Sequence, residues 1–204
     1  QCMAKRNAIV RRLPVIETLG SVSVICSDKT GTLTRNEMMV ASVQTQSHLF
    51  TLEGSGYEPI GVLKLNDSHV SPSEHRVLEE MARTVSLCND AGLREHQGIW
   101  CIEGDPMEGA LLSFAGKMDV SSVEQQSRWS RTDTIPFDSK HRFMATLNHD
   151  HMQHAFIHVK GAPETILAMC QDQRNADGGS EPLDMTFWHQ SAEDIAGQGQ
   201  RVLA

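Results

Sequence analysis

The sequence predicts an α+β fold: an antiparallel twisted sheet flanked by helices, preceded by a short piece of a parallel, Rossmann-like domain. Three observations predict it. The β-branched run Val22-Ser23-Val24-Ile25 enters a polar, glycine-containing turn directly, as a buried parallel strand does at its carboxyl end. From residue 40 onward, short alternating stretches are separated by turn residues, the pattern of antiparallel hairpins. Between those stretches lie apolar stripes of helical period, each opened by a start signal.

Taken in order, residues 1–20 read as a basic connector with a short helix, and 22–25 as the parallel strand. A domain boundary is placed near residue 39, giving an incomplete first domain, 1–39, and a second domain, 40–204, whose last strand is cut short. Residues 40–45 read as a strand. Residues 48–53 and 57–65 read as a hairpin around Gly54-Ser55-Gly56, whose glycines supply positive φ. Ser71-Pro72-Ser73-Glu74 is a capping box with proline at the first helical position, and Val77, Leu78, Met81, Ala82 and Val85 form the stripe of the helix it opens.

A short strand is expected near 99–102. Gly104-Asp105-Pro106-Met107-Glu108 then starts a second helix, with Leu111, Leu112, Phe114, Ala115 and Met118 inward and Glu108 placed to close a capping box. A polar helix follows at 123–129. Residues 132–137 read as an edge strand because of Pro136, and 142–147 with 154–159 as a hairpin. A helix is expected from 162 to 170, a surface loop over 171–181, a helix over 184–196 ended by Gly197, and the start of a strand at 201–204.

Composition narrows the function classes. The chain has 204 residues, enough for one large or two small domains, and is 39% apolar and 22% charged, ordinary values for a soluble globular protein. A net charge of −8 argues against nucleic acid as a partner. No apolar run approaches the roughly 20 residues that span a bilayer, and residues 1–12 are basic without the apolar segment of a signal peptide. The five cysteines are odd in number and lack a Cys-x-x-Cys pair, which suits a reducing cytosol rather than a disulfide framework or zinc site. His149, His151 and His154 cluster at a polar hairpin tip without the ligand set that zinc needs.

The candidate nucleophile is Asp28, a carboxylate at the end of the expected parallel strand. A carboxylate can attack a phosphoryl group and hold it as an aspartyl phosphate. Thr30, Thr32 and the amides around Gly31 are placed to donate hydrogen bonds to phosphate oxygens, and Lys29 adds positive charge. A donor nucleotide would have to be held without a Gly-x-x-x-x-Gly-Lys-Ser/Thr loop or a Gly-x-Gly-x-x-Gly turn, because neither occurs.

Asp28-Lys29-Thr30-Gly31-Thr32, followed by Leu33-Thr34, resembles the phosphorylation signature of the P-type cation-transporting ATPases. The segment Met3-Ala4-Lys5-Arg6-Asn7-Ala8-Ile9-Val10-Arg11 is similar to the family's lead from a membrane helix into the phosphorylation domain. The resemblance extends through four further segments. Gly104-Asp105-Pro106-Met107-Glu108-Gly109-Ala110-Leu111-Leu112 resembles the stretch whose glutamate accepts a hydrogen bond from the adenine amino group, implying that role for Glu108. Pro136-Phe137-Asp138-Ser139-Lys140-His141-Arg142-Phe143-Met144 resembles the stretch whose phenylalanine stacks on adenine, implying Phe137. In that stretch Arg142 stands where the family usually has a lysine near the phosphates, and Ser139 where some calcium pumps have arginine.

Lys160-Gly161-Ala162-Pro163-Glu164 resembles the nucleotide-pocket motif, implying Lys160, with Gly161, at the floor of the adenine site. Arg201, in Gln200-Arg201-Val202-Leu203-Ala204, resembles the arginine that contacts the phosphates. The resemblance implies a nucleotide domain of antiparallel sheet and helices, and the beginning of a haloacid-dehalogenase-type phosphorylation domain. It further implies a parent protein that hydrolyses ATP through an aspartyl phosphate at Asp28, with Mg²⁺, to move a cation across a membrane.

Asp28 and Thr30 would contribute to the Mg²⁺ site, whose other carboxylates come in this family from Thr-Gly-Asp and Gly-Asp-Gly-x-Asn-Asp segments absent here. The parent is expected to be an integral membrane protein, joined to the membrane only through helices outside this stretch, with this region cytoplasmic. The cation-binding residues are expected in those helices, and the segments around Asp28 and Glu108 resemble calcium-type and related pumps more than heavy-metal pumps. The 204 residues by themselves are expected to bind ATP or ADP without turnover. The alternative is a soluble haloacid-dehalogenase-like phosphatase with a large cap domain, which needs an aspartate where this chain has Thr30.

Overall fold

In the computed structural model, which describes residues 21–34 and 37–204, the chain divides into two units, 1–36 and 37–204. The connector expected over 1–20 lies outside the described residues. Residues 22–25 do not form the expected buried strand: Val22, Val24 and Ile25 are 55%, 73% and 86% exposed, and none pairs with another strand among the described residues. A parallel strand persists only with neighbours along its edges and helices over its faces. Beyond it, Lys29–Leu33 closes a π-helical turn, in which the Thr34 amide donates to the Lys29 carbonyl at 3.1 Å and the Thr34 hydroxyl to the same oxygen at 3.3 Å.

The second unit opens with four antiparallel strands in sequential order: β1 (Ser42–Gln44), β2 (Leu49–Glu53), β3 (Val62–Leu65) and β4 (Ser68–His69). The expected hairpin forms, β2 pairing with β3, but its connection is a longer loop over 54–61, with Gly54 and Gly56 at positive φ and the buried side chain of Lys117 beneath it. A side chain at Gly61 would run into the Glu53 carbonyl and, at 2.9 Å, Lys117 Cδ. The tight two-residue turn is Asn66-Asp67, between β3 and β4, with φ of 51° and 62°. Both residue types tolerate that left-handed region better than most.

Pro72–Glu74 forms a 3₁₀ turn, and the first α-helix, α1 (Arg76–Leu87), begins after His75. The expected capping box is not made, because Ser71 Oγ bonds Ser73 Oγ at 2.8 Å and no side chain caps the turn. His75 anchors the junction instead, its ring edge-on to Phe50 at 4.7 Å. Next come β5 (Gly92–His96) and β6 (Ile99–Glu103), a hairpin turning at Gln97-Gly98 with φ of 53° and 79°. The first of these strands is not foreseen from sequence, since its outward residues Arg94, Glu95 and His96 interrupt any apolar alternation.

Helix α2 (Pro106–Lys117) starts as expected, with Asp105 Oδ1 accepting from the Met107 and Glu108 amides at 2.8 and 3.3 Å. Helix α3 (Ser122–Arg128) leads to a three-stranded antiparallel sheet of β7 (Ser130–Asp138), β8 (Phe143–His149) and β9 (Ala155–Gly161), with β7 on the edge as Pro136 requires. Helix α4 (Pro163–Leu167) follows. The segment expected as a surface loop contains a hairpin, β10 (Asp172–Arg174) with β11 (Ser180–Pro182), pinned by buried Gln173, which bonds Glu181 and accepts from Trp188 Nε1. Trp188 belongs to α5 (Met185–Gly197), capped by Asp184; the left-handed residue after this helix is Gly199, at φ 77°, rather than Gly197.

The antiparallel strands thus form two larger sheets and two hairpins rather than one continuous sheet. Val43, Phe50, Leu52 and Leu63 from the first sheet pack on Leu78 and Ala82 of α1, Phe114 and Ala115 of α2 and Met118 just after it. A cavity of about 630 Å³ borders both β1 and β9, lined by Val43, Val85, Phe114, Val159, Trp188 and Leu203 among others. Ala204 has begun to pair along the edge of β9, exchanging both backbone hydrogen bonds with Gly161 at 2.7 and 3.0 Å.

Two outcomes are expected. Leu78 is completely buried, so Leu78→Ala should lower stability in urea unfolding by about 2–5 kcal/mol. His158 on β9 faces α1, with Nδ1 3.3 Å from Thr84 Oγ1, and burial, assisted by the Arg83 charge, pushes its pKa below the ordinary 6.5. The unfolded chain therefore takes up this proton at higher pH than the folded one, so stability is whole above that ordinary value and falls as pH drops through it. Unfolding midpoints measured from pH 7 to pH 5 should fall, and His158→Gln should flatten the slope.

Candidate functional site

Glu108 lies in the first turn of α2, where a capping box would turn its carboxylate back on the helix start. It reaches outward instead. Its Oε1 accepts from Lys160 Nζ at 2.6 Å, and its Oε2 accepts from the Asp90 amide at 3.2 Å. The two side chains are 12% and 6% exposed, so the pair is almost fully removed from water. Taking each charge out of water is costly, and their mutual attraction offsets that cost only with good geometry and further hydrogen bonds, which the Asp90 amide supplies.

Strand pairing brings Phe137 to the same place. Along β7 and β8, Ile135 pairs with Ala145 and Asp138 with Phe143, so Pro136 and Phe137 together oppose the single residue Met144. Met144 in turn pairs with Lys160 on β9. The β-bulge therefore sets Phe137 in the cross-strand row that contains Lys160. Proline cannot donate to the ladder, and an edge-strand bulge is where its missing N–H is tolerated. The Phe137 side chain is 61% exposed, while Met144, opposite it in the ladder, is 2% exposed.

Gly161 and Arg142 meet next to this row. A Cβ on Gly161 would lie 2.5 Å from the Arg142 carbonyl and 2.8 Å from Phe143 Cα, so glycine is required by close approach of the two backbones. Arg142 has φ 59°, its amide bonds the Asp138 carbonyl at 2.6 Å, and its guanidinium is paired with Glu164 of α4. Both partners are about half exposed, so the pair is readily exchanged for another anion. Arg201 is exposed and lies at the large cavity, three residues before the Ala204–Gly161 pair.

Asp28 and Lys29 belong to the first unit, both exposed, and Asp28 makes no side-chain cap to the turn that follows it. The side chain of Thr30 lies outside the described residues. At the tip of β8 and β9, His154 bonds Asp150 at 2.9 Å and His149 bonds Thr132 at 2.9 Å. Among the described residues, no group of three His, Cys, Asp or Glu side chains is gathered to hold a metal ion.

Sequence reasoning missed the residues that surround the ion pair. Asn89, 2% exposed, donates to the Val85 and Glu108 carbonyls at 3.1 and 3.0 Å and accepts from the Ala91 amide at 2.9 Å. Arg131 at the start of β7 reaches back to Asp90 and to the end of α1. Cys88 is fully buried with Sγ 3.5 Å from the Met144 carbonyl; burial pushes its thiol pKa up, and the Lys160 charge opposes that shift. Nothing in the local sequence pairs residues 88–90 with 131, so the signal exists only in three dimensions.

Comparison with known proteins supplies an independent view. Residues 77–204 match the family model described as P-type ATPase, cytoplasmic domain N. The chain is 42% identical over 99% of its length to a cation-transporting ATPase of Synechocystis, of which it covers 23%. It is 39% identical over 82% of its length to a calcium-transporting ATPase of Bacillus subtilis and 34% identical over 98% to a potassium-transporting ATPase alpha chain of Cavia porcellus, covering 19% and 20% of them. It thus spans about a fifth of the length of these relatives.

Removing one partner of the buried pair should be far more damaging than removing both. Glu108→Ala leaves the Lys160 ammonium buried without its carboxylate and should cost about 3–5 kcal/mol in urea unfolding. The double change Glu108→Leu with Lys160→Met should recover most of that loss.

Proposed function

Because this chain belongs to the P-type ATPases and carries their cytoplasmic domain N, we propose that residues 40–204 bind ATP and ADP, with adenine seated between Phe137 and the Glu108–Lys160 pair. The observation that carries this reading is the β-bulge that sets an exposed Phe137 in one cross-strand row with buried Lys160. The aromatic face offers stacking, Lys160 with Gly161 forms the floor, and Glu108 Oε2 retains lone-pair capacity to accept from the 6-amino group of adenine. Arg142 releases Glu164 to meet phosphate oxygens, and Arg201 adds a second positive charge.

In this reading residues 1–39 begin the phosphorylation domain, and Asp28 is the carboxylate that accepts the γ-phosphoryl group, with Lys29 and Thr30 beside it. Thr30 stands where a haloacid-dehalogenase-like phosphatase carries its general acid/base aspartate, so the phosphatase alternative is not favoured. Asp28 and Thr30 contribute to the Mg²⁺ site of the whole protein, whose remaining ligands lie outside this stretch; the metal supplies charge neutralisation on the moving phosphoryl group. The whole protein couples ATP hydrolysis to transport of a cation across a membrane, with this region on the cytoplasmic side. Its relatives' names include both calcium and potassium; in this reading the ion is chosen by membrane helices outside this stretch.

An NMR titration with ATP tests the site. Shifts should centre on Glu108, Phe137, Lys160 and Arg201, and Phe137→Ala should weaken binding by about 5- to 150-fold, the equivalent of one lost base–aromatic stack of about 1–3 kcal/mol. Unchanged affinity in that variant would remove the adenine site. Phosphate release by the 204-residue chain should stay at background, because it lacks the family's Thr-Gly-Asp and Gly-Asp-Gly-x-Asn-Asp segments.

A further inference from the structure

We propose that Arg131, which lies outside the proposed nucleotide pocket, is a positioning residue for base recognition: it orients the Glu108 carboxylate through the Asp90 backbone. The inference rests on the reading of Glu108 as the acceptor for the adenine amino group.

Lys160 touches one oxygen of Glu108, and a single contact leaves the carboxylate free to rotate about its last side-chain bond, a broad two-fold torsion. The plane of the group is set only when the second oxygen has a fixed donor. That donor is the Asp90 amide, 3.2 Å from Oε2. A backbone amide is a good fixed donor only if its own segment is held, and residues 88–91 form an irregular link between α1 and β5.

Arg131 holds that link. Its guanidinium donates to Asp90 Oδ1 at 2.6 Å, to the Leu87 carbonyl at 2.9 Å and to the Asn89 carbonyl. It therefore grips the last carbonyl of α1 and both residues that precede and carry the critical amide. On the other side, Asn89 ties the link to the Glu108 carbonyl at 3.0 Å, so the backbone of α2 and the backbone of Asp90 are fixed relative to one another. Three acceptors spread over both terminal nitrogens match the planar, five-donor guanidinium, whose fork the single-point ammonium of a lysine does not reproduce. Removing Arg131 leaves Glu108 in place, still paired with Lys160, but frees the amide that sets its plane.

The consequence is selective. A nucleotide that donates a hydrogen bond to Glu108 depends on the carboxylate plane; one that stacks on Phe137 without donating does not. ATP and inosine triphosphate separate the two cases at the 6-position, where the latter carries an acceptor oxygen in place of the amino donor; because its N1–H is a donor at the neighbouring ring atom, purine riboside triphosphate, which has neither donor, is titrated alongside and should behave as inosine triphosphate does. Losing one hydrogen bond to a charged acceptor should make the unmodified protein prefer ATP by about tenfold.

The experiment is calorimetric titration of both nucleotides into the 204-residue chain and its variants, with thermal unfolding as the check on folding. Arg131→Ala should shrink the preference to within about twofold by weakening ATP, while inosine triphosphate affinity changes less than about twofold. In a Glu108→Gln background the same substitution should not change the ratio further. If Arg131→Ala does not fold, Arg131→Lys, which keeps the charge and loses the fork, should shift the ratio in the same direction. Equal weakening of both nucleotides, or an unchanged ratio, overturns the role of Arg131 and leaves Glu108 as the reader of the base. An unmodified protein that binds both nucleotides equally overturns the reading of Glu108 and this inference with it, and one that binds neither overturns the nucleotide site itself.

Discussion

A carboxylate and an ammonium, 2.6 Å apart and nearly dry, constrain how the second unit of this protein is built. Glu108 comes from the first turn of α2 and Lys160 from the end of β9, so one ion pair joins the helical layer to the second sheet. The cost of burying two charges is tolerable only because the surrounding polar groups are answered as well. Among the described residues no buried side-chain nitrogen or oxygen is left without a partner. Cys88, Asn89 and Met144 close the space around the pair, which keeps its charges from being screened by solvent.

The candidate site lies at a sheet edge. An edge strand admits a proline and a bulge, and the bulge at Pro136 and Phe137 turns an aromatic ring outward where a regular strand would pair it. Met144 and Lys160 pair in the central and outer strands of that sheet and are buried, while Arg142 and its partner Glu164 are about half exposed.

Much of this architecture was legible in the sequence, and the reasons differ from element to element. The start of α2 was readable because Asp105-Pro106 is a local signal whose hydrogen bonds close within a single turn. Pro136 announced an edge strand because the lack of an N–H is a property of the residue itself. The start of α1 was misread, since Ser71 and Glu74 form a capping box on paper while the packing of His75 on Phe50 draws the chain into a 3₁₀ turn. The hairpin of β10 and β11 was hidden because its stability comes from Gln173 contacting Glu181 and Trp188, not from alternation. The stretch 22–25 has the composition of a buried strand but no pairing partner among the described residues.

By itself, the sequence determined the family, the α+β class and the identity of most residues proposed for the site, because these are carried by short strings whose chemistry is local. Tertiary structure alone decided what those residues do to each other. It turned Glu108 from a helix cap into the partner of Lys160, placed Phe137 in the row of Lys160 through a bulge, paired Arg142 with Glu164, and brought Arg131 across to Asp90. Each of these depends on strand register or on contacts between residues far apart in the chain. A single sequence does not contain them, because no local propensity distinguishes a charged residue that faces water from one that faces its counter-ion.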